Sequence, residues 1–350
     1  MIVLRDTSGA EVSRRTIEIP ADPLPMGSAW PFREVFRPPA PPTSVEASLV
    51  GNPAPAATSV LAVGEIVRTF SDGQGSIVAL GRLTSSAPGE ARLEALRLLG
   101  HDASGRMSDI LEVEPASTSI GPLEALPFLA RLPRGGESLR WEAYPILRPG
   151  NIAAPAVTFS EMESYLDDQG NPFVTAVARN DAPGPVWLTV TGLILDGDEW
   201  LGGVSASLPF PLAPGERLSM SLRVPRASLG LLDAGEVRWQ LLPRTAPADG
   251  SPVPLASEVI GYEPVGSTLL LRIRLTGVEG GVVLNPSAYA SITGDQGRVL
   301  STSWAAGPSA LGPGEESVVT LAIPLPAGFE LEESELNIRA VGLPTVVPTP

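Results

Sequence analysis

The chain has 350 residues, of which 43% are hydrophobic, and a formal net charge of −15. That length and composition fit several compact units with apolar cores and exclude a disordered polymer. The acidic balance repels phosphate backbones and excludes nucleic acid as a partner class, and the absence of cysteine excludes disulfides and thiolate metal sites.

From the N-terminus onward the elements read as strands. "MIVLR", "TIEI" and "AWPF" offer Ile2, Leu4, Ile17, Ile19, Trp30 and Phe32 as inner-face residues, joined by Val45 from a later strand. A polar turn, "RDTSG" (5–9), follows the first strand, and a second, "HDASG" (101–105), lies within residues 60–149. Residues 155–247 alternate strictly. In "VWLTVTGLIL", Val186, Leu188, Val190 and Ile194 oppose Trp187, Thr189 and Thr191. In "RLSMSLRV", Leu218, Met220, Leu222 and Val224 oppose Ser219, Ser221 and Arg223. Residues 256–345 continue the pattern with "TLLLRIRL", where Leu269, Leu271, Ile273 and Leu275 oppose Arg272 and Arg274. Period two with one apolar face predicts half-buried strands. The 38 prolines and 36 glycines punctuate them and argue against long helices.

The chain repeats itself. "LAPGERLSMSLRVP" (212–225) returns as "LGPGEESVVTLAIP" (311–324), and weaker copies are "IGPLEALPF" and "LPMGSAWPF". Their turn glycines, Gly27, Gly121, Gly215 and Gly314, lie 94 (27 to 121), 94 (121 to 215) and 99 (215 to 314) residues apart. Polar turns precede each phrase, and strands containing Trp141 and Trp239 follow two of them. A period of roughly 95 residues built of short strands is the size of an Ig-like sandwich. The predicted fold class is therefore all-β: tandem Ig-like antiparallel β-sandwich domains in an elongated array. Complete copies are expected at 60–149, 155–247 and 256–345, and 346–350 reads as a Pro/Thr-rich tail. Residues 1–50 begin at the end of a third strand and read as the C-terminal part of a sandwich. Its open inner face and edge allow two readings: the preferred expectation is a truncated frame with further repeats and an export signal upstream, and the other is strand donation from another molecule. Trp141 and Trp239 are expected to face the core rather than form an exposed platform.

Residues 173–225, "FVTAVARNDAPGPVWLTVTGLILDGDEWLGG…LAPGERLSMSLRVP", resemble the FxLYD-type Ig-like domains of prokaryotic envelope proteins. Asn180, Asp196, Pro214 and Gly215 carry the resemblance, while the signature itself is reduced to "LILD" (193–196). The resemblance implies a structural or interaction module and no catalytic residue.

Chemistry is sparse. The one histidine, His101, lies in a polar turn, with no serine in a nucleophile elbow to accompany it. "SDGQGS" (71–76) lacks the lysine and helix of a phosphate cradle and reads as a hairpin turn. Calcium is the one metal with candidate ligands: Asp196, Asp198 and Glu199, or Asp167 and Asp168. The simpler reading, that these residues make tight turns, is preferred. All 24 basic residues are arginine, which rules out Lys–Asn isopeptide cross-links. No apolar run is long enough to cross a membrane, and no secretory leader is visible. The expectation is a non-enzymatic modular surface protein, extracellular, with no cofactor and no metal. Its sandwiches would act as spacer or assembly unit, and its partners would be proteins. The alternative is an adhesion module binding a glycan or protein through end loops or a sheet face.

Overall fold

The computed structural model describes the chain except residues 20–28, 49–61, 73–74, 87–88, 123, 151–154, 226–237, 280, 295–296, 330–333 and 346–350. Gly27 and the Pro/Thr-rich tail therefore lie outside the described residues. Among those described, every regular element is a strand except a single 3-10 turn at Gly136–Ser138. The chain divides into two compact units, residues 1–69 with 77–153, and residues 70–76 with 154–350.

The first unit opens with β1 (Ile2–Arg5), β2 (Glu11–Arg15) and β3 (Ser44–Ala47), an antiparallel sheet of order β2-β1-β3. Seven strands follow: β4 (Ala62–Ser71), β5 (Ile77–Ser85), β6 (Ala91–His101), β7 (Met107–Glu112), β8 (Ser119–Ile120), β9 (Ala125–Leu132) and β10 (Arg140–Pro149). They form sheets β4-β5-β9 and β10-β6-β7, with β8 beside β6. Leu83, Phe128 and Leu132 from one sheet meet Leu96, Leu98 and Leu147 from the other in one core. Gly81 is required there, because a Cβ on it would stand 2.0 Å from the Phe128 ring.

The first sheet matches one half of that sandwich. Its order, β2-β1-β3, is the order β7-β6-β10, and the two hairpins share one turn. Asp6 Oδ1 accepts from Ser8 N (2.8 Å), Ser8 Oγ (2.6 Å) and Ala10 N (3.0 Å). Asp102 Oδ1 accepts from Ser104 N, Ser104 Oγ and Arg106 N at the same three distances. The serine hydroxyl bond holds each carboxyl below its ordinary pKa. The expected single inner face of residues 1–50 does not form. Ile2 and Leu4 are buried and Ile17 and Ile19 half-buried, but Phe32 and Val45 are 42% and 67% exposed. No second sheet is drawn from the described residues of this segment. Trp30 instead finds burial against Ile146 of β10 and Ala95 of β6.

The second unit holds two sandwiches. The leading one comprises β11 (Val157–Leu166), β12 (Pro172–Asn180), β13 (Val186–Asp196), β14 (Glu199–Ser207), β15 (Arg217–Arg223) and β16 (Arg238–Pro247). Its sheets are β11-β12-β15 and β14-β13-β16. The trailing one comprises β17 (Val253–Pro254), β18 (Ala256–Val265), β19 (Thr268–Thr276), β20 (Val283–Thr293), β21 (Val299–Ala306), β22 (Ala310–Leu311), β23 (Glu316–Pro324) and β24 (Glu335–Pro344). Its sheets are β18-β19-β23 and β17-β24-β20-β21, with β22 beside β20. Leu218, Met220, Leu222, Val224 and Trp239 share one core, as their alternation predicts, and Trp239 is 8% exposed. Trp141 is half-buried against the first unit's core and donates Nε1–H to the Gly136 carbonyl (2.8 Å).

The repeated phrase is a turn closed by its own glutamate. Glu216 Oε2 accepts from Ala213 N (2.7 Å), Glu315 Oε2 from Gly312 N (2.7 Å) and Glu124 Oε2 from Gly121 N (3.0 Å). Gly121 thus corresponds to Ala213 and Gly312, not to Gly215 and Gly314, and the steps are 92 (121 to 213) and 99 (213 to 312) residues. Gly215 and Gly314 hold φ of 73° and 68°, the left-handed region that glycine enters without strain. Asn180 anchors the turn in the leading sandwich. Its buried Nδ2 donates to Gly184, Leu212 and Ala213 carbonyls, and its Oδ1 accepts from Ala182 N.

Two outcomes follow in urea denaturation. Trp239→Ala costs about 3–5 kcal/mol, because it empties a core position. Asn180→Ala costs about 1–3 kcal/mol, because it strands buried carbonyls.

Candidate functional site: the seam within the second unit

A strand that alternates buries one set of side chains and turns the other outward. In the leading sandwich the outward set on β15 is Ser219, Ser221 and Arg223. In the trailing sandwich Tyr289 of β20 points away from Ala288, Ala290 and Ile292, which fill its own core. Tyr289, Trp304 and Val341 pack instead on the leading sandwich's core cluster. The two outward faces therefore meet.

The seam is mostly polar. Tyr289 donates its hydroxyl to the Ser219 carbonyl (3.0 Å), Thr302 N donates to Ser221 Oγ (2.8 Å), and Trp304 Nε1–H donates to the Ser207 carbonyl (2.9 Å). Two ion pairs cross it, Arg298 with Glu163 and Arg339 with Glu216. In both, the carboxylate comes from the leading sandwich. The Arg298 guanidinium also lies 5.4 Å from the Tyr165 ring, and that of Arg339 lies 5.3 Å from Phe210. Burial and the Glu163 carboxylate push the Tyr165 hydroxyl up to about 12. Burial raises Tyr289 to about 12 as well, against the hydrogen bonds it makes.

Asp167 sits at the end of the seam and is buried. Its Oδ1 accepts from Gln169 N (2.9 Å), Asn171 N (2.8 Å) and Asn171 Nδ2 (3.1 Å). Its Oδ2 accepts from Asn171 Nδ2 (2.8 Å) and, across the seam, from Ser267 Oγ (3.2 Å), and it pairs with Arg223. Burial alone would raise this carboxyl, but the Asn171 bonds and the Arg223 charge outweigh it and hold it below its ordinary range. Asp168 beside it accepts from Gly328 N of the trailing sandwich (3.2 Å).

The first unit contains a related contact. Arg97 stands five residues before the turn residue Asp102, as Tyr289 stands five before Gly294, and both turns close with the same backbone bond (2.9 Å). Pro31 of "AWPF" matches Pro127 of "ALPF", three residues after Glu124, as Ser219 is three after Glu216. Arg97 donates to the Pro31 carbonyl (2.8 Å) and lies 4.2 Å from the Trp30 ring. One position on β6 and β20 thus reaches one carbonyl on the strand or segment before it.

The residues singled out from sequence are placed as follows. His101 ends β6, with Nε2 3.5 Å from Glu142 Oε2. Glu142 is already engaged by Tyr144 (3.1 Å) and Arg140 (2.6 Å), and Tyr144 leads in holding its carboxyl low. Asp196, Asp198 and Glu199 are exposed at the β13–β14 turn. Among the described residues no three His, Cys, Asp or Glu side chains gather closely enough to hold a metal. A cleft of about 550 Å³ lies along β4 and β10 and is lined by Val63, Ile66, Glu137, Trp141 and Tyr144. The seam itself was not anticipated. Its sequence signal is an aromatic pair, Tyr289 and Trp304, in outward strand positions.

Three measurements follow. Asp167 is depressed in the folded chain, so its contribution is present above the unfolded value of about 3.9 and lost as pH falls. Between about pH 5 and 2, wild-type urea stability should fall more steeply than that of Asp167→Asn. Tyr289→Phe should cost about 1 kcal/mol by losing its bond to Ser219. A calcium chelator should leave the melting temperature unchanged, and a fall of several degrees would place a metal on these carboxylates.

No family model matches the chain, and no curated protein matches it. Among solved structures it is similar to red sea bream transglutaminase, with TM-score 0.19 and 13% identity over 54% of this chain and 29% of that one. It is also similar to Escherichia coli alpha-2-macroglobulin activated by trypsin, with TM-score 0.15 and 12% identity over 79% and 24% of the two chains. The same protein activated by porcine elastase gives 0.15 and 14% over 81% and 33%. The chain spans about a quarter to a third of the length of these structures.

Proposed function

We infer that this is a non-enzymatic modular structural protein, whose sandwiches at 60–149, 155–247 and 256–345, with a partial one at 1–50, serve as spacer or assembly unit of an extracellular structure. The observation that supports this best is the seam. Its hydrogen bonds and ion pairs join one sandwich to the next. The FxLYD-type resemblance points the same way, since Asn180, Pro214 and Gly215 are turn-building residues in this fold. Glu142, the carboxylate beside His101, is engaged by Arg140 and Tyr144 of its own strand.

A chain that spans distance must resist extension. Single-molecule stretching should show discrete unfolding events, each releasing about 90 residues, or roughly 30 nm at ~3.4 Å per residue. Featureless extension at low force would remove the mechanical role. A second reading, adhesion to a glycan or protein, rests on the open groove beside Trp141 and Tyr144. Binding on a glycan array that is lost in Tyr144→Ala would favour it.

A further inference from the structure

The sequence holds three Glu-x-aromatic triplets: Glu34-Val35-Phe36, Glu142-Ala143-Tyr144 and Glu163-Ser164-Tyr165. Residues two apart in a strand point the same way, so the triplets on β10 and β11 set a carboxylate beside a ring. Two of the three triplets hold an arginine from elsewhere in the fold. Arg298 pairs with Glu163 Oε2 and lies 5.4 Å from the Tyr165 ring, whose hydroxyl donates to the same oxygen. Arg15 pairs with Glu34 (2.8 Å) and lies 5.7 Å from the Phe36 ring. A guanidinium suits such a pair, because one planar group bonds the carboxylate and meets the ring face together.

The third triplet is built like its counterpart on β11, but its ring is free. The Tyr144 hydroxyl donates to Glu142 Oε2 (3.1 Å), as that of Tyr165 does to Glu163 Oε2. No guanidinium lies over the Tyr144 ring among the described residues. Arg140 reaches the other oxygen, Oε1 (2.6 Å), from the same strand, and its side chain is 79% exposed, so this is a surface pair of small worth. Arg97 stands directly across from Tyr144, but its guanidinium is turned to Trp30, the Pro31 carbonyl and Glu112. His101 Nε2 lies 3.5 Å from Oε2, beyond an ordinary hydrogen bond. Glu142 and Tyr144 both line the cleft along β4 and β10, as do Glu65 and Glu137. Those two have no ion-pair partner among the described residues, and the cleft therefore sets three carboxylates against the one guanidinium of Arg140.

We propose that Glu142 and Tyr144 are a docking site for an arginine side chain of a partner protein. Its guanidinium bonds Glu142 Oε2 and meets the Tyr144 ring, as Arg298 does at Glu163 and Tyr165. Arg140 keeps Oε1, so no existing bond is displaced. The partner is a different, basic protein and not a second copy, because this chain carries a net charge of −15 and copies repel each other. The proposal rests on the adhesion reading of the cleft and names its ligand, and the two fail differently. Glycan binding lost in Tyr144→Ala, without any response to arginine, keeps adhesion and removes this site.

The test is titration of the full chain with N-acetyl-arginine amide to tens of millimolar, beside N-acetyl-lysine amide at equal ionic strength. His101 is the one histidine and lies beside Glu142 Oε2, so its ring resonance is an unambiguous reporter of occupancy. At constant pH that resonance should move saturably with the arginine probe. The lysine probe should bind several-fold more weakly, because an ammonium lacks the planar fork that bonds carboxylate and ring together. Glu142→Gln should weaken arginine binding about tenfold or more by removing the charged acceptor. Tyr144→Leu should weaken it about threefold, and Tyr144→Phe, which keeps the ring, should stay within about twofold of wild type. Unchanged melting temperatures would show that the variants remain folded. A resonance that does not move, equal binding of the two probes, or undiminished binding by Glu142→Gln would each overturn the proposal. Self-association of the chain alone that Glu142→Gln abolishes would overturn it too, by seating a second copy's arginine there.

Discussion

A two-sheet sandwich buries one face of each sheet and leaves the other wet, and the organisation of this chain depends on how the wet faces are used. Within the second unit they are used against each other. Ser219 and Ser221 of the outward row receive Tyr289 and Thr302, Trp304 reaches Ser207 of β14, and main-chain groups do much of the bonding. Both partners keep complete cores of their own, so the seam adds order between finished sandwiches. Tyr289 and Val341 are the exceptions that bind the layers, since they fill the neighbour's cluster.

The seam is held by groups that answer to pH from both sides. Asp167 is ionised and depressed, and its bonds depend on that charge. Tyr289 and Tyr165 are neutral and raised to about 12, and theirs depend on the proton. A folded tyrosine above its ordinary value of about 10 contributes stability below that value and loses it as pH climbs toward 12. The seam is thus complete across the whole neutral range and weakens at either extreme.

Strand alternation made most of the fold legible. "RLSMSLRV" and "TLLLRIRL" assign their inner faces without ambiguity, and Trp239 lies where its spacing puts it. The repeat was legible too, but its register was not. Gly121 looks like Gly215 in a string of letters, and only the Glu124 side chain shows which turn position it fills. Residues 1–50 were legible as one sheet of a sandwich and not in their packing. Trp30 reads as an inner-face residue of its own segment, yet it is buried on β6 and β10, no facing sheet being formed by the described residues there. The seam escaped because serines on an outward face look like solvated positions, and Tyr289 and Trp304 look like any strand aromatics. What distinguishes them is the partner, and a partner lies outside the period of a single strand.

The Tyr289 hydroxyl and the Arg97 guanidinium both end on main-chain carbonyls, those of Ser219 and Pro31. A carbonyl belongs to every residue, so no substitution at 219 or 31 can delete the acceptor while the backbone keeps its course. The receiving half of such a joint is therefore invisible to mutation and free to drift. Only the donor is accountable to selection, and it can pass from tyrosine to arginine without moving the point of attachment. Modules that share this arrangement could be duplicated, reordered or exchanged between genes and still fit. Joints of this kind would persist long after the sequences around them have ceased to resemble one another.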